Sequence, residues 1–204
     1  EHQRYRIFAN LATCYAQHGH HEKSIDLFLH AAAATKDEIR ASLCRAQASR
    51  LRDDFRAAYR TASDILSRQS THVEAAAIRV ACDQSDATTE VILQDIPASI
   101  RTELHVIESA ILRDQIRSNL DLAELRARNA LSRWADDRDI KESLATVIVM
   151  KLEGRLGSQS LPTSISESDH ARLNEAVDLL TTVLLLPVQE STPYLRAELL
   201  RKRG

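Results

Sequence analysis

The sequence predicts an all-α protein built from stacked antiparallel helical hairpins. Three observations lead there. Gly and Pro number only four each among 204 residues, too few for a β-rich fold with its many tight turns. Ala, Leu and Arg are the commonest residues, and all three favour helix. Apolar and small residues recur at three- and four-residue spacing in one segment after another, and segments 34 residues apart echo each other.

The first hairpin spans about residues 4–35. Phe8, Leu11, Ala12 and Tyr15 fall on one face of a helix running roughly from Arg4 to Gln17. His18, Gly19, His20 and His21 form the turn, with Gly19 placed where a helix end tolerates a left-handed backbone. The returning helix, roughly Glu22 to Thr35, turns Ile25, Phe28, Leu29 and Ala32 inward. The series Phe8, Leu11, Ala12, Tyr15, Gly19, Ser24, Phe28 and Ala31 resembles the tetratricopeptide repeat (TPR). The small Ser24 lies where that family usually has Ala. The resemblance implies a right-handed superhelix of hairpins, about five here plus a partial one.

The second hairpin, 37–67, keeps the register with Ser42, Arg45, Ala46 and Ser49 in degenerate signature slots. Its second helix follows Asp53 and Asp54 and carries Phe55, Ala58, Ala62 and Ile65. The third, 72–95, pairs a helix from His72 to Cys82 with a short one, about Ala87 to Gln94, that ends before Pro97. The fourth, 99–134, opens near Ser99. It sets Leu104, Ile107, Ala110 and Ile111 on one face and Leu122, Ala123, Ala127, Ala130 and Leu131 on the next. The fifth, 137–186, carries Leu144, Ala145, Ile148 and Leu152, then a loop at 154–168 rich in Gly, Ser, Pro and Thr. Its returning helix, about Asp169 to Leu186, bears Ala176, Leu180 and Val183 before Pro187. Pro193, Tyr194 and Ala197 look like the start of a partial sixth unit, 193–204. Single hairpins cannot bury their apolar faces alone, so stacking is required. The opening at Glu1 and the incomplete last unit lead us to expect a fragment of a longer array.

Charge and cysteine content narrow the function classes. The 27 basic and 29 acidic residues nearly cancel, which gives no global attraction for nucleic acid. No apolar run approaches the length of a membrane span, and no signal peptide is visible. Cys14, Cys44 and Cys82 are odd in number and distant, as expected for core thiols in a reducing cytoplasm. There is no Gly-rich phosphate loop, zinc-protease motif or nucleophile elbow. Gly154 and Gly157 are too closely spaced for a phosphate loop and follow a helix. The chain is therefore expected to be no enzyme and to need no cofactor. His18, His20 and His21 could ligate a metal, but no carboxylate or thiol has clear ligand spacing, and a solvated turn accounts for them. Trp134, the only Trp, is expected to pack under the next hairpin.

The TPR resemblance implies a concave groove lined by the first helix of each hairpin. In this register the groove takes Arg6, Ala9, Thr13 and Gln17; Arg40, Leu43, Gln47 and Arg50; Glu74, Ala77 and Ala81; His105, Glu108, Leu112 and Gln115; and Asp139, Glu142 and Thr146. Arg6, Arg40 and Arg50 make a basic first half, and Glu74, Glu108, Asp139 and Glu142 an acidic second half. Arginine suits a carboxylate or phosphate because its fork gives two parallel hydrogen bonds. Ala9 and Thr13 stand where TPR co-chaperones that grip acidic chaperone tails carry Lys and Asn, which disfavours that ligand. The expected function is binding of a protein or peptide. Alternatives are a sensing or regulatory region of a larger bacterial signalling or defence protein, ATPase- or protease-linked, with other domains of the same chain as partners, and, more weakly, RNA binding. Balanced charge and few aromatics argue against RNA.

Overall fold

The computed structural model describes residues 2–157 and 166–185. Among them are ten helices and no strand, and no helix is long and apolar enough to cross a membrane. The chain forms two compact units, the first reaching Ser109 and the second starting at Ala110.

The first unit holds α1 (His2–Gln17), α2 (His21–Ala33), α3 (Glu38–Leu51), α4 (Phe55–Arg68), α5 (Val73–Cys82), α6 (Thr89–Gln94) and the start of α7 (Leu104–Ile116). Successive helices from α1 to α5 pack on each other, and α3 also touches α5. The turns inside the first two hairpins are copies of each other. Gly19 N–H bonds Ala16 O at 3.0 Å and His20 N–H bonds Tyr15 O at 2.9 Å; 34 residues later Asp53 N–H bonds Arg50 O at 3.1 Å and Asp54 N–H bonds Ser49 O at 2.9 Å. This paired closure satisfies the last carbonyls of the helix and requires a left-handed residue. Gly19 has φ 72° and Asp53 φ 59°. Side chains start the next helices: Asp37 accepts from Ile39 N at 3.0 Å and Arg40 N at 3.1 Å, and Asp54 accepts from Ala57 N at 3.0 Å.

Small residues let the paired helices approach. Ser24 and Ala58, 34 residues apart, are fully buried, and the Ser24 hydroxyl donates to Ala12 O at 2.7 Å. One cluster joins Ala12, Ile25, Phe28, Ala31 and Ala32 to Ala41, Cys44 and Ala48 of the following helix. A second joins Ala46, Ala58 and Ala62 to Ile78 and Cys82. Each core is thus shared between neighbouring hairpins. Two expected inward residues are not buried: Leu11 is 44% exposed and Leu29 37%. Their neighbours Ala12 and Phe28 face the shared core instead.

The third hairpin is short. After the six residues of α6, Ile96 and Ile100 are buried from non-helical backbone. The Arg101 guanidinium donates to Ile96 O at 2.9 Å and Gln94 O at 3.0 Å, closing this segment. The fourth unit's helix therefore begins at Leu104, not near Ser99. The bonds from Ile100 N and Arg101 N to Pro97 O hold the intervening residues in turns.

The second unit contains the rest of α7, α8 (Leu120–Leu131), α9 (Arg138–Gly157) and α10 (Glu167–Leu185). α9 packs against both α8 and α10. The same turn closes α7: Ser118 has φ 58°, its N–H bonds Gln115 O at 3.0 Å, and Asn119 N–H bonds Asp114 O at 2.8 Å. Ala123, Ala127 and Ala130 are buried on α8, and Ile140, Leu144, Ala145, Val147, Ile148 and Leu152 on α9. Leu122, expected inward, is 37% exposed beside the buried Ala123. Buried Asp114 accepts from Arg126 Nε at 2.7 Å, pairing α7 with α8. The expected loop at 154–168 is shorter at both ends: Gly154–Gly157 continue α9, and Glu167 and Ser168 already belong to α10. A Cβ at Gly154 would meet nothing, so this glycine serves no close approach, and helix formers around it carry the helix through. Ser166 Oγ accepts from Asp169 N at 3.1 Å and starts α10. Residues 158–165, Pro187 and the partial unit at 193–204 lie outside the described residues.

Candidate functional site

The first helices of the first three hairpins carry the expected groove residues. At 3.6 residues per turn, Arg6, Ala9, Thr13 and Gln17 share a side of α1 away from the packing stripe of Phe8 and Ala12. Arg6, Thr13 and Gln17 are exposed, and Thr13 Oγ1 donates within the helix to Ala9 O at 3.1 Å. On α3, Arg40, Leu43, Gln47 and Arg50 are all half-buried. Arg40 Nε sits 3.2 Å from Asp37 Oδ2, and its guanidinium carbon lies 5.6 Å from the Tyr5 ring centre. Arg50 Nε donates to Gln47 Oε1 at 3.1 Å. Both arginines are thereby held by neighbours before any ligand arrives.

The thiols show how these helices meet. Burial pushes Cys44 up to about 11, against the opposing effects of its hydrogen bond with Tyr5 of α1 and of Arg45. Burial likewise pushes Cys82 of α5 up to about 11, partly offset by the positive charge of Arg50. Tyr5 therefore meets α3 at Cys44 and Arg40, and Arg50 reaches toward α5. On α5, Glu74 is exposed with Oε2 3.2 Å from His72 Nδ1, while Ala77 and Ala81 are half-buried. At the end of this unit Glu108 Oε2 lies 3.0 Å from His105 Nδ1 on the same helix.

The remaining groove candidates belong to the second unit. Gln115 Nε2 donates to Ser143 O at 3.2 Å and so ties α7 to α9. Asp139 is exposed, and Glu142 and Thr146 are half-buried on α9.

No family model matches the chain, and no curated protein gives a significant match. Among solved structures, the crystal structure of a thermophilic TPR protein from Thermus thermophilus is similar over 97% of this chain and 99% of that one, with TM-score 0.63 and 14% identity. The fold is TPR-like.

Several features of this TPR-like chain stand outside the expected groove. Glu124 on α8 accepts from Lys151 Nζ of α9 at 2.8 Å and from Arg172 of α10 at 2.6 Å, and pairs with Arg128 at 2.9 Å. Burial alone would raise its carboxyl, but the three cationic donors outweigh burial and hold it at about 2. Lys151 also pairs with Asp121, and Arg128 with Glu175 at 2.6 Å. These pairs link α8, α9 and α10 of the second unit. Helical periodicity does not reveal them, because the partners are up to 48 residues apart.

Three surface clefts among the described residues are lined by other side chains than the groove candidates. They lie between α1 and α2, between α3 and α4, and beside Tyr59 and Cys82. Among the histidines of the first turn, His18 Nδ1 lies 2.7 Å from Cys14 O, and the His20 ring stands edge-on 5.8 Å from Tyr15. No group of three His, Cys, Asp or Glu side chains among the described residues is placed to hold a metal. Trp134 is half-buried, with the Arg133 guanidinium 4.5 Å from its ring centre.

Proposed function

We propose that this TPR-like chain is a non-catalytic scaffold that binds a protein or peptide along the side of α1, α3 and α5 that carries Arg6, Arg40, Gln47 and Arg50. The observation that carries this reading is the state of the two central arginines. Arg40 is braced by Asp37 and Tyr5, and Arg50 by Gln47, while both remain partly exposed. Bracing lowers the conformational entropy lost on binding, and the arginine fork matches a carboxylate with two parallel bonds. An extended acidic segment is the ligand chemistry this side favours. Thr13, Gln17, Glu74 and Glu108 would set register along it.

Affinity capture with the wild-type chain and with an Arg40→Glu, Arg50→Glu variant tests this. The double variant is expected to lose the partner that the wild type retains, with its melting temperature nearly unchanged. Equal recovery of that partner by both proteins contradicts the assignment.

A further inference from the structure

The cleft between the start of α1 and the end of α2 has a chemistry of its own. Its volume is about 510 Å³, and its floor is formed by Ile7, Phe8, Ala33 and Ala34. Arg4, His30 and Lys36 stand around it, and none of the described residues lining it is acidic. Asp37, next in the chain, is committed to capping α3 and to Arg40. Ile7 is 57% exposed. Arg4, Ile7 and Phe8 point about 150° around α1 from Arg6, Thr13 and Gln17, so this cleft is separate from the arginine-bearing side.

The repeat supplies an internal control. The cleft between α3 and α4 uses the same positions 34 residues later: Glu38 for Arg4, Ser42 for Phe8, Asp64 for His30 and Arg68 for Ala34. There only Ile39 and Ile65 are apolar among the lining residues, the volume is about 250 Å³, and Glu38 is paired with Arg45 at 3.2 Å. That cleft has fewer apolar lining residues and carries both charge signs. The first hairpin departs from it in two ways at once, with an apolar floor and a rim of one sign.

We propose that the cleft between α1 and α2 is a second binding site, which takes an acidic peptide segment bearing one large apolar side chain. The apolar side chain fills the space between Ile7, Phe8 and Ala33, and flanking carboxylates face Arg4 and Lys36. Burying Ile7 and Phe8 further supplies affinity, and the single-sign rim selects the sign of the ligand.

The test uses the full chain and a short fluorescent peptide with a central phenylalanine flanked by aspartates, read by anisotropy. Control peptides carry lysines in place of the aspartates or serine in place of the phenylalanine. The aspartate peptide is expected to bind and to weaken with added salt. Arg4→Glu with Lys36→Glu should weaken it about tenfold, and Ile7→Ser several-fold, each with an unchanged melting curve because all three side chains are exposed. In the Arg40→Glu, Arg50→Glu background Ile7→Ser should still weaken the remaining binding several-fold, which separates this site from the other side of α1. Absence of binding to the wild type, equal binding of the lysine peptide, or indifference to the Arg4 and Lys36 reversals overturns the proposal. So does a wild-type dimer in sedimentation that Ile7→Ser dissolves, since a second copy would then be the occupant.

Discussion

Among the described residues, three have left-handed backbone: Gly19, Asp53 and Ser118. Each ends the first helix of a hairpin with the same pair of bonds. Only glycine holds that conformation without a side-chain penalty. Asp53→Gly and Ser118→Gly should each raise stability by about 0.5–1 kcal/mol, and Gly19→Ala should lower it by about 1 kcal/mol. Thermal melting of the three variants checks both signs. Gly19 was legible in the sequence as a helix end. Asp53 was legible as part of the equivalent turn, but its left-handed backbone and the turn at Ser118 were not, since neither residue's identity carries that signal and only the bond pattern exposes it. Arg40 and Arg50 could be placed on a helix face from spacing alone. That Tyr5, Asp37 and Gln47 brace them could not, because bracing depends on side-chain rotamers and on a neighbouring helix.

At the scale of elements, helix order followed from periodicity, whereas several ends and faces did not. Ser99 failed to start a helix because Pro97 and Arg101 hold the segment in turns. Gly154 failed to end one because glycine costs only about 1 kcal/mol inside a helix with good neighbours. Hydrophobicity places Leu11, Leu29 and Leu122 on core faces, yet all three are more than a third exposed while Ala12, Phe28 and Ala123 beside them are buried. The contacts that fasten α8 to α9 and α10 are polar and centre on Glu124. Its carboxyl falls from an ordinary 4.5 to about 2 in the folded chain. A depressed carboxyl stabilises the fold above its unfolded value and loses that contribution as pH falls through the folded value. The second unit should therefore lose on the order of 2 kcal/mol between about pH 4.5 and pH 2. Denaturant titrations across that range should show a shallower pH dependence in Glu124→Gln, whose stability at pH 7 is already lower.

Across the whole molecule, the 34-residue echo turns local hairpins into a TPR-like array in which neighbours share cores. Sharing makes the first helices a continuous surface within the first unit, and it leaves each hairpin free to vary the side chains it presents. The two sides of α1 show this freedom: one carries Arg6 and Thr13, and the other frames a cleft more apolar than its counterpart in the second hairpin. The fold class, a stack of helical hairpins, was legible from the repeat. The cleft was not, because it arises from residues about 26 positions apart, Arg4 and His30 among them, that only the hairpin brings together. The most direct test of the central claim is photo-crosslinking of the captured partner. Photo-reactive residues replacing Thr13 and Gln47, on α1 and α3, should crosslink it, and those replacing the exposed Asp26 and Arg60, on α2 and α4, should not. Crosslinking chiefly from Asp26 and Arg60, with none from Thr13 and Gln47, would contradict the account.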